Sequence, residues 1–289
     1  MKEIFALHNL ERLIEIKRDN SVIVLLPRID IEISPTNGDN HMRLINSTLD
    51  EVIKKGIDFP DDICLKTVES ILDAIPDIEH IKVRMEAEYV VFRKTPITQH
   101  ETQEMFKILA RAEKKGDRIV NLIGAEVTGI TACPCAHEGI VEKSRHNLKE
   151  KKFDDSDIST ILNSVAIASH NQRNISILMI EVPRGENIDV EDIIEVLETS
   201  MSSRLYEVLK REDEVDVVYR AHLNPNFVED TVRKILLNAL DKFPELLDIS
   251  NVFASSESLE SIHQHNAMAE CSTTFGELKR ASNIKTIIQ

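Results

Sequence analysis

Ile81-Lys82-Val83-Arg84-Met85-Glu86-Ala87-Glu88-Tyr89-Val90-Val91 alternates apolar and polar side chains for most of its length. A strand points successive side chains to opposite faces, so this period of two predicts a β-strand with one buried face and one wet face. Upstream, Ser21 to Ile33 is β-rich, with Val22 to Leu26 and then Ile29, Ile31 and Ile33 in alternation. Pro35-Thr36-Asn37-Gly38-Asp39 is a turn cluster. Leu44, Ile45, Leu49, Val52 and Ile53 then share one helical face. Pro60-Asp61-Asp62 opens a second helix with Ile63, Val68, Ile71, Leu72 and Ile75 inward. Asp117 to Thr131 reads as a further strand region.

The second half repeats this order. Glu126 to Cys135 and Asn174 to Val182 have strand character. Asp189 is an N-cap for a helix using Val190, Ile193, Ile194, Leu197 and Met201, continuing or restarting through Leu205 to Leu209. Asp216 to Ala221 is a short β-like segment, and Asn224-Pro225 supplies a cap and first residue for a helix burying Phe227 to Phe243. Ile249 to Leu259 and Ala267 to Phe275 are the last strand candidates. Strands, two helices and strands therefore occur twice, with a boundary near Asp117 that divides the chain into 1–116 and 117–289. Lys143 to Asp157 is polar and charged, the pattern of a solvated helix or loop or of a mobile insertion.

A chain of 289 residues, 42% of them hydrophobic, can bury one large or two modest domains. Acidic residues outnumber basic ones, 50 to 35, and the net charge of −15 repels a phosphate backbone. This argues against nucleic-acid and anionic-membrane partners. No stretch has the roughly 20 apolar residues of a membrane span, and Met1 to Asn20 lacks the apolar core of a signal peptide. Four cysteines are too few for a disulfide scaffold, so a reducing cytoplasm is the expected setting.

Four stretches carry side chains suited to chemistry. Thr131-Ala132-Cys133-Pro134-Cys135 sets two thiols at a strand end, where a thiolate serves as metal ligand or nucleophile. Ser169-His170-Asn171-Gln172-Arg173 combines a proton-exchanging imidazole with a guanidinium that can grip phosphate. Glu260-Ser261-Ile262-His263-Gln264-His265 holds an acidic acceptor and a His-x-His pair, a common metal-ligand arrangement. His222 stands just before Asn224-Pro225, out of phase with Val215, Val217, Tyr219 and Ala221. Each stretch alone also fits a bland structural role: buried cysteines, a polar turn, a structural histidine. Cys64 and Cys271 read as packed thiols. There is no Walker loop and no glycine-rich dinucleotide fingerprint.

Taken together and in order, Gly129-Ile130-Thr131-Ala132-Cys133-Pro134-Cys135, Ser169-His170-Asn171-Gln172-Arg173, Asn224-Pro225-Asn226-Phe227-Val228-Glu229-Asp230 and Glu260-Ser261-Ile262-His263-Gln264-His265-Asn266-Ala267 resemble the archaeal-type GTP cyclohydrolases. The bacterial type IB enzymes are their relatives. The resemblance runs from about Leu10 to near the C-terminus. It implies an α+β tunnelling fold (T-fold): two tandem ββααββ modules with antiparallel sheets and helices on one face. It also implies a homodimer or homotetramer with sites at subunit interfaces.

By the same resemblance, Cys133 is a catalytic and metal-binding cysteine, His263 and His265 are metal ligands, and His170 acts in catalysis. Glu260 anchors the guanine ring and Arg173 holds phosphate, with Lys143, Arg145, Arg204 and Arg220 as further basic candidates. The cation implied is Fe²⁺, with Zn²⁺ or Mn²⁺ as substitutes. The bacterial enzymes place a glutamate ligand shortly before the Asn-Pro pair. Here that stretch is Val218-Tyr219-Arg220-Ala221-His222, which makes His222 the replacement candidate. The implied reaction converts GTP to 7,8-dihydroneopterin 2′,3′-cyclic phosphate, formate and pyrophosphate, for methanopterin-type biosynthesis. The alternatives are a type IB enzyme making the triphosphate, a T-fold nitrile reductase, which the His-x-His pair argues against, and a non-catalytic metal- or pterin-binding module.

Overall fold

The computed structural model describes residues 4–18, 21–34 and 41–288. The turn cluster predicted at Pro35 to Asp39 lies outside the described residues. The first half contains β1 (Phe5–Glu11), β2 (Ile14–Arg18), β3 (Ser21–Leu25), β4 (Arg28–Ser34), α1 (His41–Lys55), α2 (Asp62–Ala74), β5 (His80–Lys94) and β6 (Glu101–Lys115). The second contains β7 (Arg118–Ala132), α3 (Pro134–Glu150), α4 (Asp155–Ser164), β8 (Asn171–Glu181), α5 (Val190–Ser200), β9 (Ser203–Arg204), α6 (Arg211–Leu223), α7 (Val228–Lys242), β10 (Asn251–Ser258), β11 (Ala267–Thr274) and α8 (Phe275–Ile288). Among the described residues, one antiparallel sheet runs β1-β4-β5-β6-β7-β8-β10-β11, with β9 paired to β7 and a separate β2-β3 hairpin.

One face of this sheet is apolar. Ile29, Ile31 and Ile33 of β4, Ile81, Val83 and Met85 of β5, Ile123 and Ala125 of β7, and Leu178 and Ile180 of β8 belong to one buried cluster. Buried residues of α1, α2, α5 and α7, among them Leu49, Ile71, Ile194 and Ile235, complete it. Burying each such side chain contributes about 1.5–3 kcal/mol. The alternate residues carry charge, as in the Arg84 to Glu32 pair at 2.9 Å. Arg28, Asp30, Arg84 and Glu86 line a groove of about 570 Å³ together with apolar residues such as Leu109 and Met179.

Several sequence expectations change. Glu101–Lys115 is a full strand that hydrophobic spacing did not reveal. Its inward positions include Thr102, Glu104, Ala110 and Ala112, while Met105 is exposed, so the apolar alternation is blurred. The run from Glu126 stops at Ala132, because Pro134 occupies the first turn of α3. Leu205 to Leu209 is not helical; the chain turns at Met201 into β9. Asp216 to Ala221 is helical: Asp213, Val217 and Ala221 are buried at spacing four, which a short window mistakes for alternation. Asn224 caps the end of α6, and α7 starts after Phe227, whose N–H donates to Asp230 Oδ2 at 3.4 Å. Phe227 is itself exposed. Lys143 to Asp157 is the end of α3 and the start of α4, and α3 has no buried residue. That is a solvated helix.

Candidate active site

Antiparallel pairing brings the ends of three neighbouring strands to one edge. Thr131 and Ala132 of β7 stand opposite Gln172 and Asn171 of β8, and Asn174 of β8 stands opposite Ser258 of β10. Cys133, His170 and Glu260 therefore leave the sheet together, although far apart in sequence. Backbone bonds lace the strand ends: Cys133 N–H donates to His170 O (3.0 Å), and Leu259 N–H to Arg173 O (2.9 Å). The Ser169 hydroxyl donates to Cys133 O at 2.6 Å.

Beneath this edge lies a polar floor. Asn174 Nδ2 donates to Ser256 Oγ (2.8 Å) and Ser258 Oγ (3.3 Å), and Ser176 Oγ donates to Asn174 Oδ1 (2.7 Å). Thr131 and Ser258 share a further hydroxyl bond at 3.1 Å. All five side chains are buried, so their mutual satisfaction avoids a desolvation penalty. A second brace comes from the Asn224-Pro225-Asn226 turn. Asn226 N–H donates to Ala132 O (3.0 Å), and Ala132 N–H donates to Ser202 Oγ (3.1 Å). Lys234 donates to Asn224 Oδ1 (2.9 Å) and Asn226 Oδ1 (2.5 Å). Desolvation holds the Lys234 ammonium below its ordinary pKa.

Cys133 is the N-cap of α3, half-buried, and its side chain makes no capping bond. The sulfur thus stands uncommitted where free helix N–H groups favour negative charge. Cys135 is exposed one step further, and all four cysteines are free thiols, Cys64 buried and Cys271 half-buried. Burial pushes the Cys64 thiol up.

His263 and His265 lie in the loop between β10 and β11, stacked with centroids 5.4 Å apart. His170 meets His263 edge-on at 6.4 Å. His170 Nδ1 is 3.1 Å from Gln172 Oε1, and Gln172 Nε2 donates to Glu260 Oε1 at 3.3 Å. Among the described residues of one chain, no three His, Cys, Asp or Glu groups converge on a common coordination point.

His222 and Arg173 stand apart from this cluster. His222 is 7% exposed in α6. Its Nδ1 faces Val218 O (2.8 Å) and its Nε2 faces Ser169 O (3.1 Å), so binding a cation would require giving up one of these contacts. Arg173 follows Gln172 by one residue in β8 and alternates to the opposite face, where it is exposed. Arg204 and Arg220 line a separate pocket of about 620 Å³ and stand against Glu198 (3.7 Å) and Asp216 (2.7 Å). Ser202, Asn174 and Lys234 gave no signal in the sequence, because only tertiary pairing joins them to the site. Gln172 was visible as a motif letter without a role.

The family model for type I GTP cyclohydrolase folE2 matches residues 7–269. With this site at the end of an antiparallel sheet, the chain belongs to that family of GTP cyclohydrolases. Similar relatives carry the name GTP cyclohydrolase MptA. The protein of Methanococcus aeolicus is 38% identical over 94% of this chain and 92% of its own length. That of Methanocaldococcus jannaschii is 39% identical over 94% and 90%. Among solved structures, uricase from Arthrobacter globiformis shares the fold with a TM-score of 0.55, covering 95% of this chain and 94% of its own, at 8% identity. No described helix is long and apolar enough to cross a membrane.

Proposed function

We propose that this chain hydrolyses the guanine imidazole ring of GTP with a bound divalent cation and releases formate and pyrophosphate. The product is 7,8-dihydroneopterin 2′,3′-cyclic phosphate, at the first step of methanopterin-type pterin synthesis. Beside the family membership, one observation supports this reading: a free thiol, an imidazole and a carboxylate leave three paired strand ends at one edge.

Cys133, His263 and His265 are the proposed ligands. An uncommitted thiol and two neighbouring imidazoles are donors that suit Fe²⁺ or Zn²⁺ better than Mn²⁺. When bound, the cation supplies hydroxide at neutral pH for attack at C8 of guanine. Glu260 accepts the ring N–H and an exocyclic amino hydrogen, which orients the purine. His170 moves the proton that the departing ring nitrogen requires. Arg173, exposed on the face of β8 opposite Gln172, is the proposed phosphate contact only for a site that a second subunit completes, not for the Cys133, His170 and Glu260 cluster of its own chain.

This reading also takes the chain as two tunnelling-fold modules, 1–116 and 117–289. In the sheet order, β1-β4-β5-β6 precede and β7-β8-β10-β11 follow the turn between β6 and β7. It further takes the enzyme as a homodimer or homotetramer with sites at subunit interfaces. The ligand set left unclosed in a single chain is compatible with that. The absence of a carboxylate in Val218 to His222 favours the cyclic phosphate over the triphosphate product.

Anaerobic incubation with Fe²⁺ and GTP, with formate measured and the product examined by phosphorus NMR, tests the proposal. Formate with a cyclic phosphodiester supports it. Formate with an intact triphosphate chain assigns the type IB reaction, and no formate leaves a binding module.

A further inference from the structure

Helix α6 presents its apolar side to solvent. Asp213, Val217 and Ala221 face the protein at spacing four. The helix is fastened chiefly through Asp213, whose carboxylate accepts the N–H groups of Ile97 and Thr98, both at 2.9 Å, and the Thr98 hydroxyl at 2.6 Å. On the outer side Val215 is 63% exposed, Val218 53%, Tyr219 46% and Leu223 58%. Side chains three and four apart are neighbours on a helix surface, so these four form one stripe. Between the stripe and the segment at Ala166 and Ala168 runs an apolar groove of about 450 Å³. By contrast, α5 and α7 turn their apolar residues into the core. A contiguous exposed apolar face of this kind marks a contact surface.

The charges along α6 identify what covers it. Glu212 and Glu214 lie in the first turn, beside Arg211, and Arg220 lies in the last. A second α6 laid antiparallel on the first brings its basic turn to the acidic one. Glu212 then stands opposite Arg220 of the partner subunit, and the two-fold repeats that pair at the other end. Val215 meets Tyr219 of the partner subunit near the centre. A parallel arrangement would set like charges together, which opposes association. Arg220 is exposed, and its present partner is Asp216 of its own helix at 2.7 Å, so its guanidinium can reach outward. The groove also borders the proposed site: His222 lines it, and its Nε2 faces Ser169 O, one residue before His170.

We propose that the outer face of α6 is an isologous contact between two copies of this chain, with the helices antiparallel about a two-fold axis near Val217. The proposal rests on the homo-oligomer reading above and assigns that assembly a surface beside the proposed active site.

Sedimentation velocity of the full chain over a range of concentrations tests it. Val215→Asp combined with Tyr219→Asp should halve the mass of the assembly, dimer to monomer or tetramer to dimer. Circular dichroism should stay unchanged, because both side chains are already exposed in the single chain. Glu212→Arg and Arg220→Glu, each alone, set like charges opposite each other at both ends and should raise the Kd of association about ten-fold or more. The two together exchange the charges and should return the Kd to near wild type. Such rescue is specific to a second copy of the same helix, since no other partner or patch is altered by it.

A monomeric wild type overturns the proposal together with the homo-oligomer reading. An oligomer whose mass withstands the aspartate pair overturns the α6 assignment alone. A halved mass without rescue by the charge exchange overturns the antiparallel pairing and gives the stripe to a different surface or partner. Should the aspartate pair fail to fold, the charge-exchange set decides by itself.

Discussion

Replacing His222 with leucine tests how the site is braced. The ring lies in α6 and its Nε2 faces the Ser169 carbonyl at 3.1 Å, while the Ser169 hydroxyl donates to Cys133 O. Leucine has a similar volume, so the change leaves little cavity. The Val218 carbonyl already accepts within the helix ladder, so the single ring hydrogen of neutral His222 is assigned to Nε2, and leucine leaves the buried Ser169 carbonyl without that donor. An orphaned acceptor of this kind costs about 1–3 kcal/mol. At about 0.6 kcal/mol per degree for a chain of this length, a loss of about 2 kcal/mol lowers the melting temperature by about 3 °C. The bound metal per subunit should stay unchanged. His222→Gln should recover part of the loss, because its amide can still donate to Ser169 O. Thermal melting followed by metal analysis of the same samples is the assay. Loss of metal with an unchanged melting temperature would refute this reasoning and make His222 a ligand.

Three further outcomes are expected. Cys133→Ala should lose metal and GTP turnover together while melting stays near wild type; metal content equal to wild type would remove Cys133 from the ligand set, and full turnover by a metal-free preparation would contradict the metal role. Glu260→Gln should raise the KM for GTP by about ten-fold or more, the cost of a lost charged acceptor, with metal content intact; unchanged kinetics with GTP would end its anchor role. Asp213 concerns acid stability. Burial opposes its ionisation, but donors from the Thr98 hydroxyl and from the N–H groups of Thr98, Ile97 and Lys210 outweigh that and hold the carboxyl well below its ordinary range. A depressed folded pKa stabilises the fold above the unfolded value of about 4, and that stability fades as pH falls toward the folded value. Asp213→Asn should therefore melt lower than wild type at pH 7, with the gap narrowing below about pH 4; a constant gap would contradict the hydrogen-bond account.

The alternation from Ile81 to Val91 and the helical faces of α1, α2, α5 and α7 were legible because each pairs one apolar face with one polar face. Glu101–Lys115 was less so, because Thr102 and Glu104 precede Phe106 and Ile108 on its buried side while Met105 and Leu109 interrupt the polar one. Helix α6 looked like a strand because Val215, Val217, Tyr219 and Ala221 mimic a period of two over too short a window. At the site, the motifs supplied the chemical types. Their meeting at one edge, and the separation of Arg173 from Gln172 across the sheet, follow from pairing between strands, which no single segment encodes. The Asn174 hydroxyl–amide floor was equally hidden: serines and an asparagine in strands read as exposed until burial shows them bonded to one another.

The shared ending of β7, β8 and β10 makes distance along the chain as demanding as chemistry. Adding one residue between Arg173 and Asn174, with the rest of β8 held in register, would shift both the amide and the guanidinium by one, sending Arg173 to the helix-covered face and Gln172 to the opposite one. The same insertion would slide His170 away from Cys133 by one strand step, about 3.3 Å. An engineer grafting this reaction onto another sheet would have to copy the count of residues between motifs before copying the motifs themselves.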